Sequence, residues 1–502
     1  MDTIVETKYG KVEGFIENGI NKWYGIPYAK PPVGELRFRR SVPCEPWEGV
    51  KSCKKFGNRA IQFMKNTNAV VSYFTNTSRI KSESEDCLFL NIWRKNSTSK
   101  KLPVYVWIHG GYLHYGDASQ SIFDGSNFAK EDILYVNINY RLGPMGCYDF
   151  SIYNPDRFDS NCSLSDQITA LKWIHENIEA FGGDPSNVTI AGESSGGASV
   201  GALLVSPATK GLIHKVICQS GLPDGYHTKG TMKKAMDLFL KYLNLTPEEV
   251  DKIATIDIES LKKVTDLMFK NLSRVHPGCY MPGILYGDDL FPEDCYTCVK
   301  NGYTEGVKLI IGTCKDEGSF FYIIHSYPDT WPRVKEYCEI CHFNKDFEEV
   351  EKVYANVKSV KQKVIDVNTD LLFLVGSVKL ADAQSLVEDV YMYQFNYAPR
   401  LLKLVGLNAT HGIDVSICSK NVSKDLLWNM SPSKIKEQLE KEMFGSWVNF
   451  AKTGDPNGEH LDVKWEKFDA ENRKTLYFDE KTHVVENPVK ERVELWKDLQ
   501  YS

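Results

Sequence analysis

Short apolar runs rich in β-branched and aromatic residues recur along this 502-residue chain with helix-periodic segments between them, and that alternation restricts its fold more than any other feature. The runs are 104–108, 133–139, 188–191, 215–219, 308–311 and 390–395, and each reads as a buried strand. Between them, a helix is predicted from about Ser165 to Phe181, with Ile168, Leu171, Ile174, Ile178 and Phe181 on one face and Gly182-Gly183 as its stop. A second is predicted to begin at Ser431-Pro432 and to carry Ile435, Leu439, Met443, Trp447 and Phe450 on one face, ending by Gly454 and Pro456. Strands alternating with helices predict an α/β chain with a large, mostly parallel sheet covered on both faces. Residues 225–300 and 325–385 are charged and helix-prone, and read as helical insertions capping that sheet.

Composition bounds the partners. With 42% apolar residues, no internal repeat and no low-complexity linker, residues 1–502 read as one domain. The formal charge of −6 comes from 60 basic and 66 acidic residues intermixed, so no basic run can neutralise a row of phosphates, and nucleic acid is not expected as a partner. No apolar stretch approaches the roughly 18–20 residues that a membrane span needs. The segment Met1-Asp2-Thr3-Ile4-Val5-Glu6-Thr7-Lys8 has neither a basic nor an apolar region of a secretory signal, which predicts a cytoplasmic protein. Thirteen thinly spread cysteines predict reduced thiols. The nine Asn-x-Ser/Thr sequons at Asn76, Asn96, Asn161, Asn187, Asn244, Asn271, Asn408, Asn421 and Asn429 point the other way, toward export.

Chemistry first shows at Gly192-Glu193-Ser194-Ser195-Gly196, between the strand 188–191 and a helix pattern from Gly197 to Leu204. A serine between two glycines at a strand-to-helix turn is the setting of a nucleophile elbow, with the hydroxyl projecting above the sheet edge. After the strand 104–108 comes His109-Gly110-Gly111-Tyr112-Leu113, a glycine turn suited to aiming backbone N–H groups at a developing oxyanion.

With these motifs on the page, the chain resembles the type-B carboxylesterase family, the cholinesterase-like branch of the α/β-hydrolases. The resemblance runs through Trp23 to Ala29, Pro31 to Gly34, Leu36-Arg37-Phe38, Ser84 to Trp93, Asn139 to Gly143, Asp166-Gln167 to Leu171 with Trp173, Phe181 to Pro185, Trp447 to Phe450 and Lys452 to Pro456, in family order. It implies an α/β-hydrolase fold and a carboxylic ester hydrolase acting through an acyl-enzyme on small to medium uncharged esters. It implies salt bridges Arg37–Glu85 and Arg141–Asp184. It puts oxyanion donors on the backbone of Gly110, Gly111, Tyr112 and Ser195, although the family carries Gly or Ala where this chain has Tyr112, a phenol that either narrows the site or offers its own hydroxyl.

An acyl-transfer serine needs a histidine base and an acid to orient it. His411, in His411-Gly412-Ile413-Asp414, matches the family's His-Gly-x-Asp/Glu motif, and Glu317 of Asp316-Glu317-Gly318 matches its acid, with Asp316 as the substitute. The order Ser194, Glu317, His411 is that of α/β-hydrolases. Glu193, Ser220 and Asp414 are expected to support these three. Phe320, Phe321 and Tyr322 read chiefly as core packing. Neither cofactor nor metal is expected: Cys338-Glu339-Ile340-Cys341-His342 and the pair Cys295, Cys298 read as coincidence. Cys87 sits where secreted relatives have a half-disulfide, yet the partner position holds Ala60-Ile61. The loop 62–85 lacks the tryptophan with which cholinesterases hold a quaternary ammonium, so a choline ester is a poor guess. The expected partner is a small-molecule ester, and the chain a monomer or weak homo-oligomer. The competing readings are an amidase or carbamate hydrolase on the same residues, and a non-catalytic neuroligin-like binding protein.

Overall fold

The computed structural model describes residues 3–498 except 65–77, 97–100, 277–278, 327, 341–342, 344 and 429. Cys341, His342 and the sequon residues Asn76 and Asn429 therefore lie outside the described residues. The main sheet comprises β1 (Phe15–Glu17), β2 (Ile20–Pro27), β3 (Phe89–Lys95), β4 (Leu102–Ile108), β5 (Leu134–Ile138), β6 (Gly183–Glu193), β7 (Lys215–Gln219), β8 (Lys308–Cys314), β9 (Val390–Phe395), β10 (Thr475–Phe478) and β11 (His483–Val485). Its spatial order is β1-β2-β3-β5-β4-β6-β7-β8-β9-β10-β11, parallel from β5 to β10 and antiparallel at both edges. Each of the six predicted strands lies in the parallel part.

Strand residues divide by parity, because successive side chains point to opposite faces. Val104, Val106, Ile108, Ile190, Val216, Leu309, Ile311 and Met392 pack on one face with α1 (Cys162–Asn177) and α2 (Ser195–Val205). Tyr105, Trp107, Ala191, Ile217, Ile310, Tyr391 and Tyr393 pack on the other with Trp447 and Phe450 of the helix Gly445–Thr453. The strands that sequence patterning missed, β1 to β3 and the last two, are edge elements with buried polar residues inside them, such as Asn21, Lys22, Asn91 and Arg94.

The predicted helix 165–181 begins earlier, after Asn161 at φ 53°, and tightens into a 3₁₀ turn over Ile178–Phe181 before Gly182 at φ 80°. The predicted C-terminal helix starts after Pro432 and runs as Ser433–Leu439, a π turn Glu440–Phe444, then Gly445–Thr453. Its apolar residues 435, 439, 443 and 447 are spaced by four, wider than the ordinary 3.6-residue turn, and the π turn takes up that surplus. The two predicted insertions are helical, with α3 (Lys229–Tyr242) and α4 (Ile258–Val275) in the first and Trp331–Ile340, Val360–Thr369 and Val375–Gln384 in the second.

One expected ion pair is corrected. Arg37 does meet Glu85, Nε to Oε2 at 3.1 Å, but Arg141 pairs with Asp166, not Asp184, through Nε–Oδ2 at 2.9 Å and Nη2–Oδ1 at 2.7 Å. The Arg141 guanidinium is fully buried and needs a buried carboxylate facing it, which Asp166 on α1 supplies. Asp184, at the sheet margin, accepts from its own neighbour Ser186 instead. Cys87 is a buried free thiol. The sequon residues Asn161 and Asn421 are buried with their side-chain amides donating inward, to Leu285 O and to Ile122 O. Among the described residues, no helix is long and apolar enough to cross a membrane.

Candidate active site

Ser194 joins β6 to α2 at φ 59° and ψ −126°, a backbone conformation that side-chain-bearing residues rarely adopt. The flanking glycines let the turn close. A Cβ on Gly192 would stand 2.4 Å from the Gly196 carbonyl oxygen, and one on Gly196 would stand 2.2 Å from that of Ile108.

The C-terminal ends of three further strands converge on this turn, as ligand-binding loops do in parallel sheets. Beyond β8, the fully buried Glu317 accepts at Oε1 from Ser220 Oγ at 2.5 Å and from the Cys314 N–H at 2.6 Å. Its Oε2 lies 2.5 Å from His411 Nδ1, in the loop after β9. A carboxylate there holds the proton on Nδ1, so neutral His411 turns an accepting Nε2 toward Ser194 Oγ, 2.8 Å away. Asp316 is not part of this chain; its carboxylate accepts from Gln362 at 3.1 Å.

Two more carboxyl groups surround the histidine. Glu193 Oε1 is 3.3 Å from His411 Nε2, and the buried Asp414 accepts from Tyr393 Oη at 2.8 Å and Gln219 Nε2 at 3.2 Å. Burial pushes Glu193 up to about 8, with the nearby Asp414 and Glu317 charges adding to the shift and His411 opposing it. Burial alone would lower His411, but Glu193 and Glu317 outweigh it and raise the imidazole to about 9.

The glycine turn after β4 lies against the same serine. A Cβ on Gly110 would meet the Glu193 carbonyl oxygen at 2.5 Å and the Ser194 Cβ at 3.0 Å. Gly111 has φ 120°, and Tyr112 and Leu113 follow at 56° and 58°. The Gly111 oxygen accepts from the His114 and Tyr115 N–H groups at 2.9 Å, and the Leu113 N–H donates to Ser195 Oγ at 3.0 Å. His114, which burial pushes down to about 4, is neutral and donates from Nδ1 to Tyr112 O at 2.6 Å.

Above Ser194 opens a cavity of about 880 Å³ walled by Tyr112, Ala198, Leu222, Phe269, Phe321 and Phe373. The Tyr112 ring lies edge-on to Phe269 at 6.1 Å and tilted against Phe321 at 6.0 Å, and its buried hydroxyl meets no hydrogen-bond partner among the described residues. Of the two roles that the sequence leaves open for Tyr112, this packing favours narrowing the site. Phe321 is buried as expected, and it also faces the cavity, 5.4 Å from the His411 ring. Phe373 is closer still, at 4.7 Å. Sequence reasoning missed Phe269, Phe373, Gln219 and Tyr393. Phe269 is on an amphipathic helix whose pattern could have flagged it; Gln219 and Tyr393 are ordinary strand residues with no such signal.

A parallel sheet with Ser194 at the strand-to-helix turn after one strand, and Glu317 and His411 after later ones, is the arrangement of an α/β-hydrolase. The carboxylesterase family model matches residues 1–496, and the chain belongs to that family. It is 37% identical to the para-nitrobenzyl esterase of Bacillus subtilis over 498 residues, 97% of each chain, and 30% identical to the human cocaine esterase over 91% of this chain and 83% of that one. Among solved structures, a thermophilic PNB esterase superposes with TM-score 0.87 at 33% identity, covering 99% of this chain and 100% of that one. A Geobacillus stearothermophilus carboxylesterase gives 0.85 at 31%, covering 98% and 100%. The protein is thus a serine carboxylic ester hydrolase, not a binding protein on a hydrolase fold.

Proposed function

We propose that Ser194 is the nucleophile, His411 the general base and acid, and Glu317 the residue that orients and stabilises the imidazolium, in a two-step hydrolysis through an acyl-enzyme. The observation that carries this reading is the continuous hydrogen-bond chain Ser194 Oγ, His411 Nε2, His411 Nδ1, Glu317 Oε2, with links of 2.8 and 2.5 Å. His411 takes the hydroxyl proton as Ser194 Oγ adds to the ester carbonyl, then returns it to the departing alcohol. Water repeats the sequence on the acyl-enzyme and regenerates the serine. The oxyanion of each tetrahedral intermediate is held by backbone N–H groups among Gly110, Gly111, Tyr112 and Ser195, the last at the N-terminus of α2, where the helix dipole favours negative charge.

Ser220 and the Cys314 N–H support the Glu317 carboxylate, and Gln219 and Tyr393 hold Asp414 beneath the histidine. The aromatic cavity favours small to medium uncharged esters. The twelve described cysteines, all free and buried, favour a reducing compartment such as the cytoplasm. One chain holds all these groups, so it acts as a single domain, and a monomer or weak homo-oligomer suffices. Ser194→Ala is the test: kcat for p-nitrophenyl butanoate should fall by at least about 10³-fold with the circular dichroism spectrum retained, and covalent labelling by a fluorophosphonate should vanish. Retained turnover refutes the assignment.

A further inference from the structure

Lys270 and Arg274 are four residues apart on α4 and both line the cavity above Ser194. Some cations of this insertion have counter-ions. Lys262 of the same helix meets Glu83 at 3.0 Å, and Lys233 of α3 meets Asp237 at 2.8 Å. Among the described residues, Lys270 and Arg274 show no ion pair and no side-chain hydrogen bond. Like charges at this spacing repel each other along a helix, so the pair opposes helix stability, in a chain whose net charge is −6. Among the described residues, the other charged side chains at the cavity lining are Asp266, one turn before Lys270, and His325, whose ring nitrogen stands 3.8 Å from Asp329.

Phe269 packs on Tyr112 beside the glycine turn, and a helix rises about 1.5 Å per residue, so Arg274 is displaced by roughly 7–8 Å along the helix axis from the ring that meets that turn. Both residues are exposed as well as part of the cavity lining, which puts them where the cavity meets solvent.

We propose that Lys270 and Arg274 form an anion-binding subsite at the cavity mouth, which receives the far end of esters that end in a carboxylate or phosphate. The inference rests on the Ser194 reading and adds anionic esters to the uncharged ones. The reacting carbonyl sits against Ser194 among aromatic rings, the connecting chain crosses the apolar middle, and the distal anion meets two cations that, among the described residues, are held in no ion pair. An arginine and a lysine suit either anion, the first through its fork of donors and the second as a point charge.

The experiment compares p-nitrophenyl hexanoate with the mono-p-nitrophenyl esters of glutaric, adipic and suberic acids. Its readout is the ratio of kcat/KM for each anionic ester to that of the neutral one. In the double variant Lys270→Gln, Arg274→Gln this ratio should fall about 5- to 10-fold for the best-fitting chain length, carried by KM. Lys270→Glu with Arg274→Glu should lower it further, and raising NaCl from about 0.02 to 0.5 M should depress the wild-type ratio only. A merely structural role for the two residues would move both esters together and leave the ratio fixed. A ratio within twofold of wild type at every chain length overturns the subsite while hydrolysis of the hexanoate ester upholds the hydrolase. Failure of the wild type to hydrolyse any of the esters overturns both.

Discussion

Beneath Ser194, the ends of β6, β7 and β8 are tied by hydrogen bonds of 2.5–3.0 Å and by glycine contacts that leave no room for a Cβ. Above it, the cavity wall consists of amphipathic helices and rings packed at 5–6 Å, with two cations at the rim. The floor is a polar network in a buried setting, where removing one partner leaves another unsatisfied. The wall is dispersive packing, where a changed side chain alters shape and little else. Chemistry should therefore fail sharply with floor substitutions, and selectivity should drift with wall substitutions.

Glu317→Gln is the strongest test of the floor. The amide can still accept from Ser220 and the Cys314 N–H, so the fold keeps its contacts, but its NH₂ group would donate to His411 Nδ1. The histidine proton then moves to Nε2, which can no longer accept from Ser194. The expected result is a fall in kcat of about 10³- to 10⁴-fold with KM little changed. A loss below tenfold would mean that the floor is less specialised than its geometry implies.

Glu193→Gln, also in the floor, should change pH dependence more than maximal rate. In the proposed mechanism only neutral His411 acts as base, so kcat/KM should rise with pH as the imidazole, raised to about 9, loses its proton. A carboxylate 3.3 Å away stabilises the charged imidazole, and its removal favours the neutral form at lower pH. The rising limb of the profile should thus move toward acid by about one unit. A limb that stays in place would remove Glu193 from the electrostatics of the site.

The same division explains what the sequence made legible. Gly192, Gly196 and Gly110 are forced by backbone approaches of 2.2–2.5 Å, and constraints of that kind leave a short, fixed motif around Ser194. Strands such as Lys215–Gln219 and Val390–Phe395 are apolar throughout because both faces are covered, so their bounds could be read directly. The wall leaves no comparable trace: Phe269 and Phe373 come from two insertions far apart in the chain, and nothing local says that their rings meet one cavity. The partner of Arg141 is hidden from the sequence for a related reason. Which of two nearby acids, Asp166 or Asp184, is buried opposite it depends on how α1 docks, a tertiary fact.

Tyr112 sits where floor and wall meet, and Tyr112→Gly separates its two contributions with the smallest expected effect. Its backbone belongs to the floor: a φ of 56° is strained for tyrosine and relaxed for glycine, so the turn and its N–H groups should persist in the variant. Its ring belongs to the wall, wedged against Phe269 and Phe321 with a hydroxyl that meets no hydrogen-bond partner among the described residues. Losing the ring should widen the cavity next to Ser194 and raise kcat/KM for branched or long-chain p-nitrophenyl esters about 10-fold relative to the acetate, the low end of what one methylene-sized contact produces. Tyr112→Phe, which keeps the ring, should retain the wild-type profile. If the glycine variant keeps that profile too, the tyrosine does not restrict the site; if it loses activity on every ester alike, the ring is needed to hold the turn, and the line between floor and wall lies beyond Tyr112.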